Sequence, residues 1–406
     1  MKNKINITIT VLFLVLIFGF GIAFWVVPDT DFSTEENCPL QTFPTLSADD
    51  WLEGKISERL ISYYSDQFPL RSTWVSLHAF GELGLGRGES SGVLLGKNGQ
   101  LAVRRFDAYV SLTERLKATD YYDPAHIQKG LDALVALDKT LSDKDIPLCV
   151  LLAPRTIDVT VRDFGYPAEL ADRLDTAIQS TLGEAKVNSV ELLNTFRDMH
   201  ENGEYVYYRT DHHWTTKGAY AAYTAVMESW GMKADILPKD FFAIRSIPDF
   251  YGTTYSRSGM YFTLPDTLEI WEATDGSDSR YTVFEHDEKS PDGIKTVIES
   301  GFISETYLEG KDKYGAFLDG THRMLFIIDR EASAKGEYRP RLLLARDSFA
   351  NSMVPFLARH FDICMVNLSG GMTNLSELAS EYGCQRVLIV CNRENLVAAD
   401  CLNNLK

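Results

Sequence analysis

Toward its C-terminal end the chain repeats one pattern, a short uninterrupted apolar run followed by a longer stretch of helical spacing. Strands are expected at 341–345, 362–367 and 386–391, with helices at 350–359 and 374–382 between them. These runs show no polar alternation, so both strand faces must be buried, and a helical connection between strands makes the pair parallel. The pattern recurs upstream, where Ile127–Leu141 reads as a helix, Leu148–Ala153 as a strand, Pro167–Leu182 as a helix, Val187–Leu193 as a strand and Thr216–Trp230 as a helix. The expected fold class is therefore α/β, a parallel sheet covered by helices on both faces in three layers. Tyr205-Val206-Tyr207-Tyr208 reads as a further core strand. Between about 240 and 335 the chain is richer in Thr, Tyr, Gly and Asp and carries short strand-like runs, which we read as a β-rich block inserted in the α/β domain. No solenoid-type repeat interrupts this organisation.

Ile5 to Val27 contains no charged residue, and roughly 20 such residues suffice to cross a bilayer as a helix. Lys2 and Lys4 precede the run, whereas Asp29, Asp31, Glu35 and Glu36 follow it, which places the N-terminus in the cytoplasm and the bulk of the chain outside. The competing reading is a cleaved signal peptide, but no small-x-small pattern follows Phe24-Trp25-Val26-Val27. Residues 1–28 are thus expected to be a cytoplasmic stub and single-pass signal anchor in the cell membrane.

Residues 29–100 read as a linker and helical region. Pro28, Pro39 and Pro44 mark the linker. Ser47 is placed as an N-cap with Asp49 and Asp50 in the first turn, opening one helix that ends before Phe68-Pro69. A second covers about 71–83. The Gly-rich stretch from Gly84 to Gly99 lacks the Gly-Lys-Ser/Thr closure of a phosphate loop and reads as turns around a short hairpin. The α/β domain then occupies 101–406.

The formal net charge of −17, with no basic stripe, argues against a nucleic-acid partner. The six cysteines show no metal-type pairing, and Cys149 and Cys391, set in apolar runs, behave as buried thiols. No cofactor is expected.

Two segments carry chemistry. The first is Thr210-Asp211-His212-His213-Trp214-Thr215. In an extended segment Asp211 and His213 face the same side, so the carboxylate can fix the imidazole tautomer and leave Nε2 free as a base. Trp214 would supply an apolar wall beside that imidazole, and Thr215 or Thr216 would cap the next helix. The second is the apolar run Leu342-Leu343-Leu344-Ala345 leading to Arg346-Asp347-Ser348-Phe349. A serine at the carboxyl end of a strand lies where α/β sheets bind ligands, and N–H groups of the following turn can meet an oxyanion. Blander assignments stand beside both. A lone Asp-Ser after an apolar strand, as at Asp347-Ser348, is most often an ordinary helix cap. Asp211, His212 and His213 could form a metal corner with Glu204 or His200.

The segment Arg209 to Ala219 resembles the signature of the DHHW family. It is also similar to the Asp-x-His-Trp motif of the alginate O-acetylation proteins, whose catalytic domains are SGNH hydrolase-like. The resemblance extends to Asp347-Ser348-Phe349 with Ala350-Asn351-Ser352 and Val354 to Leu357. It also takes in Glu36 to Pro44, Asp66 to Arg71, Gly92 to Gly96 and Asp249-Phe250-Tyr251-Gly252-Thr253. It implies an SGNH-hydrolase-like domain in a membrane-anchored esterase or O-acetyltransferase that acts on a cell-surface polysaccharide. A multipass membrane acyltransferase would be the acyl-donor partner. Ser348 would be the nucleophile, His213 the base and Asp211 the orienting acid, with Arg155 and Asn351 as candidates for substrate or oxyanion contacts. Arg346 departs from the pattern, standing where a glycine is usual. That departure sustains an alternative: an inactive, membrane-tethered glycan-binding or assembly protein of the same fold.

Overall fold

The computed structural model describes residues 2–45, 47–106, 123–371 and 374–406. It divides into two compact units, one of residues 1–92 with 255–263 and one of 93–254 with 264–406.

The first unit begins with α1 (Lys2–Val26), an apolar helix long enough to cross a bilayer. The single helix expected after Ser47 is instead two, Ala48–Leu52 and α2 (Lys55–Asp66). Gly54 separates them in the left-handed region at φ 70°, which a continuing helix does not allow. Ser47 Oγ accepts the N–H of Asp50 at 3.1 Å, the contact expected of a cap. Helix α3 (Arg71–Gly84) follows.

The second unit is built on a sheet of eight strands among the described residues. In chain order they are β1 (Leu148–Ala153), β2 (Ser189–Val190), β3 (Tyr281–His286), β4 (Ile294–Ile298), β5 (Met324–Asp329), β6 (Arg341–Arg346), β7 (Asp362–Asn367) and β8 (Arg386–Asn392). The spatial order is β4-β3-β5-β7-β6-β8-β1-β2. The run from β7 to β2 is parallel, whereas β5, β3 and β4 pair antiparallel at one edge. The parallel sheet expected from the sequence is present and carries an antiparallel edge besides. Part of the 240–335 block supplies the antiparallel edge, while Phe242–Phe250 and Asp266–Ala273 pair as a separate ribbon.

Alternate residues of the central strands feed two apolar cores. Leu342, Leu344, Leu388 and Val390 join α6 (Thr216–Ser229) through Ala219, Tyr223 and Val226 on one face. Leu343, Ala345, Val387 and Ile389 join α4 (Pro124–Ser142) and α5 (Arg173–Glu184) on the other. Burial on both faces is why these strands read as unbroken apolar runs.

Strand β2 is only two residues long, and the chain then enters an unexpected helix at Leu193–Glu201, where Leu193 and Phe196 are buried. The helix expected at 350–359 is a 3₁₀ turn, Ser348–Ser352, and a short helix, Val354–Leu357, with Pro355 in its first turn. The expected 205–208 strand reduces to one bridge, Tyr207 with Trp214, because the chain reverses direction between them.

His360 tests the packing of the first core. Its Nε2 lies 2.8 Å from the Tyr223 hydroxyl, within hydrogen-bond reach. Burial lowers its pKa to about 4. The unfolded chain therefore binds the proton first, so the contribution is whole above about pH 6.5 and is lost as pH falls toward 4. Thermal unfolding across that window should show a loss of up to about 3 kcal/mol. The dependence should flatten in His360→Gln, whose amide can still hydrogen-bond Tyr223 but does not titrate.

Candidate active site

Ser348 begins the turn after β6. That strand is a topological switch point: its successor β7 lies on one side and β8 on the other, which opens a crevice at its carboxyl end. Asp347 fixes the turn. Its Oδ1 accepts the N–H of Phe349 at 2.9 Å, and its Oδ2 accepts the N–H of Asn392 and Nδ2 of Asn395, both at 2.7 Å. The carboxyl thus ties the serine turn to the end of β8. Burial pushes its pKa up, while these N–H groups oppose the rise.

The histidine arrives on a bent loop rather than the extended segment expected. Tyr208 N–H donates to His213 O, and Thr215 N–H donates to Val206 O, so residues 209–213 form the reversal. Asp211 Oδ1 accepts the His213 backbone N–H at 2.9 Å, an Asx-type turn. The same oxygen lies 2.5 Å from His213 Nδ1. A local turn therefore creates the meeting that strand alternation was expected to create. Asp266 holds the entry to the loop, accepting Thr210 N–H at 2.8 Å and Thr210 Oγ1 at 2.6 Å. Thr215 caps α6 by accepting the N–H of Gly218.

Ser348 Oγ lies 2.6 Å from His213 Nε2. The structure thus brings together Ser348, His213 and Asp211, the three residues expected to form a triad. Ser348 keeps partial solvent exposure, whereas His213 and Asp211 are buried. Burial alone would raise the Asp211 pKa. The adjoining His213 and His212 imidazoles and the hydrogen bonds from His213 outweigh it, holding the carboxyl well below the usual range. An ionised carboxylate only accepts, so Nδ1 must donate and the Nε2 lone pair faces the serine hydroxyl.

Thr253, His212 and Tyr314, given no catalytic role by the sequence, complete the surroundings. Asp211 Oδ2 accepts the N–H of Thr253 at 2.8 Å and its Oγ1 at 3.0 Å. His212, expected to face elsewhere, bonds Thr253 Oγ1 through Nδ1 at 2.7 Å, and its ring lies 3.9 Å from that of His213. Tyr314 stacks nearly parallel to His213 with centroids 3.8 Å apart. The Tyr314 hydroxyl donates toward Ser348 O at 3.1 Å, and burial pushes its pKa up. The imidazole is thus in contact with two rings.

The three residues expected to contact substrate are enclosed. Trp214 presents no surface; its Nε1 donates to Phe349 O at 3.0 Å and Ser352 Oγ at 3.1 Å, joining the histidine loop to the serine turn. Arg155 is buried with its guanidinium on Asp158. Asn351 is buried with Nδ2 on Gly320 O at 3.2 Å. Arg346 does not crowd the serine: it too is buried, its guanidinium reaches His322 O, and burial lowers its pKa to about 10.

Ligand atoms of Asp211, His212 and His213 lie within 4.8 Å of one another, close enough to share a cation. Both ring nitrogens of His213 are already engaged, by Asp211 and Ser348, so a cation there would have to break one of these contacts.

Comparison with known proteins agrees with this architecture. The chain is similar to the probable alginate O-acetylase AlgJ of Pseudomonas putida, with 25% identity over 192 residues, covering 47% of each chain. The corresponding Azotobacter vinelandii protein is 25% identical over 190 residues, covering 46% of this chain and 43% of that one. The chain therefore spans about half the length of the curated relatives it matches. Among solved structures, Bacillus cereus PatB1 superposes with a TM-score of 0.58 at 16% identity, covering 77% of this chain and 99% of that chain. A DHHW family protein from Eubacterium siraeum gives 0.55 at 17% identity, covering 78% and 97%. The DHHW protein family model matches residues 118–367, more than half of the sequence, and the chain belongs to that family.

Proposed function

We propose that this chain is an extracytoplasmic, serine-dependent O-acetyltransferase or acetyl esterase of SGNH-hydrolase-like fold. It would act on a cell-surface polysaccharide and be held to the membrane by α1, with its N-terminus in the cytoplasm. The observation that carries the reading is the unbroken contact from Ser348 Oγ to His213 Nε2 at 2.6 Å and from His213 Nδ1 to Asp211 at 2.5 Å. The alginate O-acetylase relatives favour acetyl transfer to a polysaccharide. A multipass membrane acyltransferase is the proposed donor. We read the 240–335 block as an insertion in the α/β domain.

In this reading Ser348 Oγ attacks an acetyl carbonyl while His213 Nε2 takes the hydroxyl proton. Asp211 stabilises the imidazolium and holds its orientation. The Ser348 N–H, which has no hydrogen-bond partner among the described residues, is the candidate donor to the oxyanion; the Phe349 N–H is engaged by Asp347. Collapse of the adduct leaves an acetyl-serine and returns the proton to the departing group. An acceptor hydroxyl, or water, then gives its proton to His213 and attacks the acetyl carbon, and His213 returns the proton to Ser348 Oγ as the acyl–serine bond breaks. Arg155, Trp214 and Asn351 act by positioning, given their burial.

The test combines detergent-solubilised full chain, an activated acetyl ester and a soluble polyuronate, with bound acetyl measured on the polymer. Acetylated polymer is the expected product; acetate alone would make the protein an esterase. No turnover together with no fluorophosphonate adduct at Ser348 would favour the binding-protein alternative. Activity should survive a strong chelator, and its loss would move the chemistry to a metal at Asp211, His212 and His213.

A further inference from the structure

The first unit carries an apolar surface that its own packing does not cover. Ile61 is 68% exposed and Tyr64 45% on α2, and Leu77 is 55% exposed on α3. These positions flank the side chains that meet α1. Phe20 stacks on Phe68 at 5.6 Å and contacts Trp74 at 5.6 Å, and Phe24 contacts Tyr63 at 5.7 Å and Tyr64 at 5.1 Å. Phe20 and Phe24 lie within about 9 Å of the end of α1, at 1.5 Å of rise per residue. The cations of this region are paired with its own acids, Arg71 with Glu36 and Arg59 with Asp50, both at 2.8 Å.

We propose that α2 and α3 lie in the non-cytoplasmic interface of the bilayer that α1 crosses, with Ile61 and Leu77 in the acyl-chain boundary. The inference rests on α1 remaining as a membrane-spanning anchor. A helix of that length ends near the edge of a hydrocarbon core about 30 Å thick. The rings locked to its last two turns therefore sit at headgroup depth, where Trp and Tyr are favoured. Helices held at that depth with an apolar face lie in the interface plane. Lipid is the occupant the contacts favour, because the same α1 side chains that need lipid set the height of the face.

The test uses full-length protein in phosphatidylcholine–phosphatidylglycerol nanodiscs. Nitroxide labels at Ile61→Cys and Leu77→Cys are compared with references at Leu14→Cys and Tyr338→Cys, all in a Cys38→Ser, Cys401→Ser background. Power-saturation spectra should show Ile61 and Leu77 several-fold less accessible to an aqueous nickel chelate than Tyr338, which is 80% exposed, and more accessible to oxygen. Aqueous access at both sites with Leu14 protected would overturn the interface assignment while leaving the anchor intact. Aqueous access at Leu14 would overturn the anchor, and the inference with it. Sites open in pure lipid but protected in native membranes would assign the face to a protein partner instead.

Discussion

Ser348→Ala should lower acetyl-ester turnover by on the order of 10⁴-fold or more without unfolding the chain, because triad members act as a unit. The Ser348 hydroxyl touches His213, and its removal leaves the Asp347 tie to β8 in place. Thermal stability should therefore change by less than about 1 kcal/mol. His213→Ala should cost a comparable factor, and the double variant should be no worse than either single one. Assays on purified full chain, with the fluorophosphonate adduct located by mass spectrometry, decide the matter. Equal turnover by wild type and Ser348→Ala would remove this serine from the mechanism.

Gly252→Ala should also lower turnover strongly, although Gly252 takes no part in the proposed chemistry. A Cβ at this position would collide with Cβ, Cγ and Oδ2 of Asp211. The glycine needs no unusual backbone angle, so the effect is steric. Its neighbour Thr253 binds Asp211 Oδ2 through both N–H and Oγ1. The carboxylate cannot yield without giving up those bonds or its contact with His213. A displacement near 1 Å at a catalytic group costs about 10²-fold in rate, and crowding a packed site costs about 1–3 kcal/mol. Wild-type kcat/KM in this variant would show that the observed Asp211 geometry is not needed for turnover.

The two predictions differ in how readable their residues were. Strands β1, β6, β7 and β8 could be located from sequence because each is buried on both faces, which leaves a continuous apolar run. Ser348 and the Asp211–His213 pair stood out as residue types in suggestive local settings. The shape of the 209–213 loop was misjudged, since an Asx turn and an extended strand bring i and i+2 together equally well on paper. Tyr314 gave no local signal; its value comes entirely from lying over a ring distant in the chain. Asp266 escaped for the same reason, accepting from Thr210 far away in sequence; Thr253 lay inside the Asp249–Thr253 segment of the resemblance, but nothing local pointed to its bond with Asp211. Trp214 was visible but misassigned, because an aromatic beside a catalytic histidine can line a cleft or brace the loop behind it. Its indole N–H, bonded to Phe349 O and Ser352 Oγ, selects the second role.

The enclosure of Asp211 has a consequence for the speed of the proposed chemistry. In water, the dipoles around a carboxylate must rearrange each time positive charge grows on a neighbouring ring. Here the dipoles facing it belong to the backbone and side chains of Thr253 and His213, already oriented. The polarisation that solvent would otherwise supply at every turnover is set once, when the chain folds.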